Sequence, residues 1–100
     1  MEIVVHVSDS NYQKLKEKLL TDDIVNRASI IFKEAKQFGK ESGYICIIMG
    51  TEDRLKRALE LAKTVQSDVK EITDKEKKEI LRKIKEEEEK AIEGFGNILG

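Results

Sequence analysis

The segment from Ile24 to Phe38 decides the topology of this chain, because it satisfies two incompatible patterns. At a period of 3.6, Ile24, Ala28, Ile31, Ala35 and Phe38 fall on one helical face. At a period of two, Ile30, Phe32 and Phe38 lie to one side, although Glu34 and Lys36 interrupt the alternation. Periodicity alone favours the helix. The next residues, however, are Phe38-Gly39-Lys40-Glu41-Ser42-Gly43, a glycine-bracketed turn that runs into Tyr44 to Met49, the strongest strand signal in the chain. A strand before that turn makes a hairpin and the order β-α-β-β-α-β, the ferredoxin-like split motif of the α+β class, here with an added C-terminal helix. A helix there makes an α/β domain with three parallel strands and crossover helices.

The flanking elements are clearer. Glu2 to Val7 is β-branched and bounded by Ser8-Asp9-Ser10, which reads as a buried strand. Ser10 with Gln13 has the form of a capping box, with Tyr12, Leu15, Leu19 and Leu20 in a helix from about Asn11 to Leu20. Thr51 stands where a helix N-cap is expected, with Glu52 and Asp53 in the first turn and Leu55, Ala58, Leu59 and Ala62 on one apolar face. Val69 to Ile72 reads as a short strand. Thr73 with Glu76 forms a second capping box, opening a helix that carries Ile80, Leu81, Ile84, Ala91 and Ile92. Glu86 to Glu89 interrupt that apolar stripe, so the helix is expected to be only partly buried. Beyond it, Gly94 to Gly100 holds Phe95, Ile98 and Leu99, a tail expected to dock on its own domain or on a neighbouring subunit.

One hundred residues make a single domain over 1–100, divided into a core over 1–72 and a helix with an apolar tail over 73–100. Lys plus Arg total 19 against 20 Asp plus Glu, a net charge of -1, which speaks against nucleic acid as a partner. No apolar run reaches the ~18 residues that suggest a membrane span. No export signal opens the chain, and the one cysteine, Cys46, sits in an apolar run; both predict a cytoplasmic protein with an inert buried thiol. Charged residues make up 39%, dominated by Lys and Glu, the bias of hyperthermophile proteins.

Residues with catalytic signatures are missing from the pattern. His6 is the only histidine, and a lone His on an apolar strand reads as a core or interface residue. Asp22-Asp23 comes after a helix end and reads as a turn or cap. Gly94-Phe95-Gly96 lacks the spacing and flanks of a dinucleotide fingerprint. The sequence shows no Ser-His-Asp, Cys-His or P-loop arrangement. Binding is the expected role, and no cofactor is named by these residues.

The decapeptide Glu34-Ala35-Lys36-Gln37-Phe38-Gly39-Lys40-Glu41-Ser42-Gly43 resembles the second strand and loop base of the nitrogen-regulatory PII family, Glu-Val-Lys-Gly-Phe-Gly-Arg-Gln-Lys-Gly. Glu34, Lys36, Phe38, Gly39 and Gly43 match, and Lys40 stands in for Arg. The resemblance implies that residues near Arg27 to Phe38 form a strand in a ferredoxin-like subunit. It also implies a homotrimer that senses small ligands in clefts and regulates a protein partner. The family's long loop shrinks here to Lys40-Glu41-Ser42, its metal-holding Gln corresponds to Glu41, and its glycine-rich phosphate loop is replaced by Gln66-Ser67-Asp68-Val69-Lys70. The expected ligand contacts are Lys36, Gly39, Lys40 and Glu41, with Lys40 on an anionic group of a small metabolite and Glu41 on a metal or amine. Two other roles fit the same chain. One is an assembly protein that binds a partner through the last helix and tail, by Phe95, Ile98 and Leu99. The other is an ion-binding trimer that resembles the CutA family, with Glu41, His6 and Cys46 as its only candidate ligands.

Overall fold

β1 (Glu2–Val7) is buried on both faces, and the rest of the domain is organised around it. In the computed structural model, which describes the backbone of residues 1–99 and the side-chain surroundings of residues 1–89, β1 leads into α1 (Tyr12–Thr21). A 3-10 turn over Val25–Arg27 comes next, then β2 (Ser29–Glu34), a second 3-10 turn over Ala35–Phe38 and β3 (Tyr44–Met49). α2 (Glu52–Val65), β4 (Lys70–Ile72) and α3 (Asp74–Leu99) complete the chain. The result is α+β: a four-stranded sheet in the order β2-β3-β1-β4, with every neighbouring pair antiparallel.

The parallel three-stranded alternative is therefore not what forms, and Ile24 to Phe38 is not a helix. Its apparent helical period has a simple origin. Both faces of β2 are covered, so Ile30, Ile31 and Phe32 are apolar in succession, and the two-residue alternation is lost. The strand expected near Arg27 to Phe38 ends at Glu34. Because a 3-10 turn intervenes, Phe38 packs with Ile31 on the α3 face, opposite to Ile30 and Phe32.

Alternate residues of β1 and β3 feed two cores. Val5, Val7, Cys46 and Ile48 meet Leu15 and Leu19 of α1 and Leu55, Ala58 and Ala62 of α2. On the other face Val4, Ile45 and Ile47 meet Ile80 and Ile84 of α3, with Ile72 and Ala35. Burying side chains of this size contributes roughly 1.5–3 kcal/mol each before the entropy of ordering is subtracted. α3 thus covers the second face with a narrow apolar stripe, as the interruption by Glu86 to Glu89 requires.

Helix starts depart from the capping expectations. Asn11, not Ser10, holds the N-cap position of α1, without a side-chain cap; Ser10 Oγ bonds Ser8 Oγ instead, at 3.1 Å. Thr51 is at the N-cap of α2, but its hydroxyl donates to Asp53 Oδ1 at 2.6 Å. Thr73 and Glu76 do precede and open α3, yet the Glu76 carboxylate pairs with Lys40. The backbone of α3 continues through Gly94 and Gly96. The expected contact residues Phe95, Ile98 and Leu99 lie outside the residues whose side chains are described. Among the described residues, no helix is long and apolar enough to cross a membrane.

Candidate functional site

The resembling decapeptide folds into the closure of the β2–β3 hairpin. β2 delivers Glu34, and Ala35, fully buried in the α3-side core, anchors the turn after it. The Ala35 N–H donates to Gly43 O at 3.0 Å, and Lys40 N–H donates back to Ala35 O at 3.2 Å, closing the loop on itself. Gly39, at φ 82°, ends the 3-10 turn in the left-handed region where a glycine is favoured. Gly43, at φ 89°, brings the chain back beneath β1, and there a Cβ would lie 2.5 Å from Val7 O and 2.7 Å from His6 Nε2. His6 Nε2 is 2.9 Å from Ser42 O, so the histidine docks the loop against β1.

A cleft of about 170 Å³ opens here, lined by Asp9, Glu34, Lys36, Glu41, Ser42, Gly43 and Tyr44. Asp9 comes from the β1–α1 turn, which the antiparallel pairing of Val7 with Tyr44 places beside the hairpin end. Tyr44 gives the cleft an aromatic wall. It stacks on Tyr12 with centroids 3.8 Å apart, and Tyr12 in turn meets Phe32 edge-on at 5.1 Å.

Of the expected contacts, Lys36 and Glu41 reach the cleft. Gly39 shapes the loop behind it. Lys40 turns the other way, and its Nζ lies 2.6 Å from Glu76 Oε1 on α3. Sequence reasoning missed Asp9, Glu34, Ser42, Gly43 and Tyr44 as lining residues. Asp9 was findable in principle: a polar turn directly after β1 must sit near the start of whichever strand pairs with β1 antiparallel. No side-chain pattern singled out Tyr44.

The lining holds three acidic residues, Asp9, Glu34 and Glu41, and one basic residue, Lys36. Such a lining suits a cation, or a small zwitterion whose anionic end reaches the lysine. Among the described residues, no group of three or more His, Cys, Asp and Glu stands close enough to hold a metal ion. His6, Glu41 and Cys46 do not converge: Cys46 is fully buried and His6 is engaged with Ser42.

Elsewhere the polar constellation with most structure is Asp22. Its Oδ1 accepts from Ile24 N–H at 3.0 Å and Val25 N–H at 3.1 Å, and its Oδ2 accepts from Arg57 Nε at 3.1 Å. The Val25 amide above all, with the Ile24 amide and Arg57, holds the carboxyl below its ordinary range against the opposing effect of burial. This is the turn expected at Asp22-Asp23, and it ties the end of α1 to α2.

No protein-family model, curated protein or solved structure matches this chain. The cleft and the loop beside α3 are thus the basis for a functional reading.

Proposed function

We propose that this chain is a small-ligand-sensing regulatory subunit on a ferredoxin-like frame, acting by binding in the manner of the PII-like proteins its hairpin resembles. The observation that carries the reading is the double engagement of one short loop. Glu41, Ser42 and Gly43 line the cleft, while the adjacent Lys40 is ion-paired to the first turn of α3. A ligand that draws Glu41 inward strains or releases the Lys40–Glu76 pair, so occupancy of the cleft is conveyed to the helix. The β2-β3-β1-β4 order, with helices after β1 and β3, supports the frame.

The charge balance of the cleft moves the ligand class from small anions to small zwitterions. An ammonium sits among Asp9, Glu34 and Glu41, and a carboxylate faces Lys36. The experiment is calorimetric titration of the whole chain with amino acids, diamines, 2-oxo acids and adenine nucleotides. Saturable binding of a zwitterion that weakens at least tenfold in Glu41→Gln and Lys36→Gln is the expected result. Binding unaffected by both variants, or none across the panel, removes the cleft from consideration. In the second case, a stoichiometric protein partner retained through α3 would favour the assembly role.

A further inference from the structure

The two edges of the sheet are treated very differently. β4, at one edge, is three residues long, and its Lys70 and Glu71 are exposed, which are ordinary protections against pairing with another chain. β2, at the other, is six residues long and carries Ile30-Ile31-Phe32 with no proline or bulge. The hydrogen bond from Ala35 N–H to Gly43 O sets the phase of the β2–β3 ladder, since hydrogen-bonded pairs alternate along it. Ser29, Ile31 and Lys33 therefore direct their backbone groups to β3, and Ile30, Phe32 and Glu34 direct theirs outward. Among the described residues, no backbone or side-chain group takes up the outward groups of Ile30 and Phe32.

We infer that the β2 edge pairs antiparallel with the β2 edge of a second copy of this chain, about a two-fold axis through Ile31. In that register Ile31 faces Ile31 in a non-hydrogen-bonded pair, and Ile30 faces the second copy's Phe32, exchanging both backbone hydrogen bonds. Lys33 faces Ser29. Along the paired strands no like charges oppose one another, and the strand residues at the centre of each face are apolar. The register centred one residue later sets Lys33 diagonal to the second copy's Lys33 and against Ile31, which is poorer on both counts. A two-fold axis normal to the sheet also keeps α3 of both copies on one side, where a concavity of about 240 Å³ lined by Ile31, Lys33, Ile84, Glu87 and Glu88 opens beside the edge. The pair is closed, because its only remaining edges are the two short β4 strands. This interface replaces the homotrimer that the PII resemblance implies with a dimer; it is independent of the cleft, and its failure would leave the ligand-sensing role untouched.

Light scattering of the intact chain tests it together with two substitutions. The expected mass is twice that of the 11.5 kDa chain. Ile31→Cys is expected to form a disulfide-linked dimer on mild oxidation, since a pair on the axis has Cα atoms ~4.5 Å apart and disulfides span about that distance. Lys33→Cys, displaced from the axis, is expected not to link, and the native Cys46 is buried and takes no part. Ile31→Lys sets two ammonium groups on the axis and is expected to yield a monomer with an unchanged far-UV circular dichroism spectrum. A monomeric wild type at ~100 µM overturns the inference. So does a trimer, the state implied by the PII resemblance. A dimer in which Ile31→Cys fails to link, or links no better than Lys33→Cys, places the interface elsewhere and overturns it as well.

Discussion

Lys40 Nζ lies 2.6 Å from Glu76 Oε1, joining the hairpin loop to the first turn of α3 across 36 positions of sequence. The side chains are 26% and 52% exposed, so water screens the pair and its contribution is that of a surface ion pair, not of a buried one. A double-mutant cycle with Lys40→Met and Glu76→Gln is expected to show a coupling of about 0.5–1 kcal/mol at low salt. Raising the ionic strength to ~1 M, where the screening length shortens to ~3 Å, should remove most of it. A coupling unchanged by salt would mean the two residues interact through packing, and the route from cleft to helix would need another carrier.

The two glycines of the same loop separate backbone strain from steric collision. At Gly39 a Cβ meets nothing within 4 Å, so Gly39→Ala bears only the left-handed backbone, about 1–2 kcal/mol. Gly43→Ala bears that and a collision with Val7 O and His6 Nε2. Its expected cost is about 3 kcal/mol or more, the range of substitutions that combine a steric and a backbone fault. Denaturant titration of both variants measures the difference. Equal costs would mean that the hairpin moves off β1 with ease.

How far the sequence could be read depended on how local each signal was. β1, β3 and the apolar faces of α1 and α2 were legible, because Val4, Val5, Ile45 to Ile48 and Leu55 to Ala62 each obey one pattern inside one element. The edge strand was not legible from periodicity. Ile30, Ile31 and Phe32 answer to two different cores, and a strand covered on both sides has no two-residue alternation to find. Only the turn residues around Gly39 and Gly43, and the likeness they carry, pointed to a hairpin. The expected side-chain caps failed for a related reason: Ser10, Thr51 and Glu76 each bond another partner, Ser8, Asp53 and Lys40. In the site, Lys36 and Glu41 were legible from the decapeptide. Asp9 joins them only through the antiparallel pairing of Val7 with Tyr44, a contact between residues far apart in sequence.

Asp22 makes stability depend on pH in a defined direction. Its folded carboxyl titrates below the ordinary carboxylate value, so the unfolded chain takes up the proton first as pH falls. The stabilisation is complete above about pH 4 and disappears as pH drops through the folded value. Asp22→Asn keeps an oxygen for the Ile24 and Val25 amides but loses the charge that Arg57 meets. The variant is expected to melt lower than wild type at pH 7, with the gap narrowing below about pH 4. A gap that is constant across the range would assign the effect to hydrogen-bond geometry alone.

Cys46 offers a measure of how tightly the sheet is closed. Its side chain is fully buried between the sheet and helices α1 and α2, on the face shared with Val5, Val7 and Ile48, and burial pushes the thiol up to about 12. At pH 8 the thiolate is therefore a negligible fraction even before access is considered, and only the thiolate reacts. Labelling by a disulfide exchange reagent is expected to be complete at once in denaturant. In the native protein it should be slower by orders of magnitude, at a rate set by opening of the core. Because Cys46 neighbours Phe32 across the β2–β3 ladder, Phe32→Ala should speed labelling by loosening β2 while adding no new thiol. Rapid labelling of the native wild type would mean that β2 and β3 separate readily, and a hairpin that mobile could not hold Glu41 and Lys40 on opposite sides of one loop.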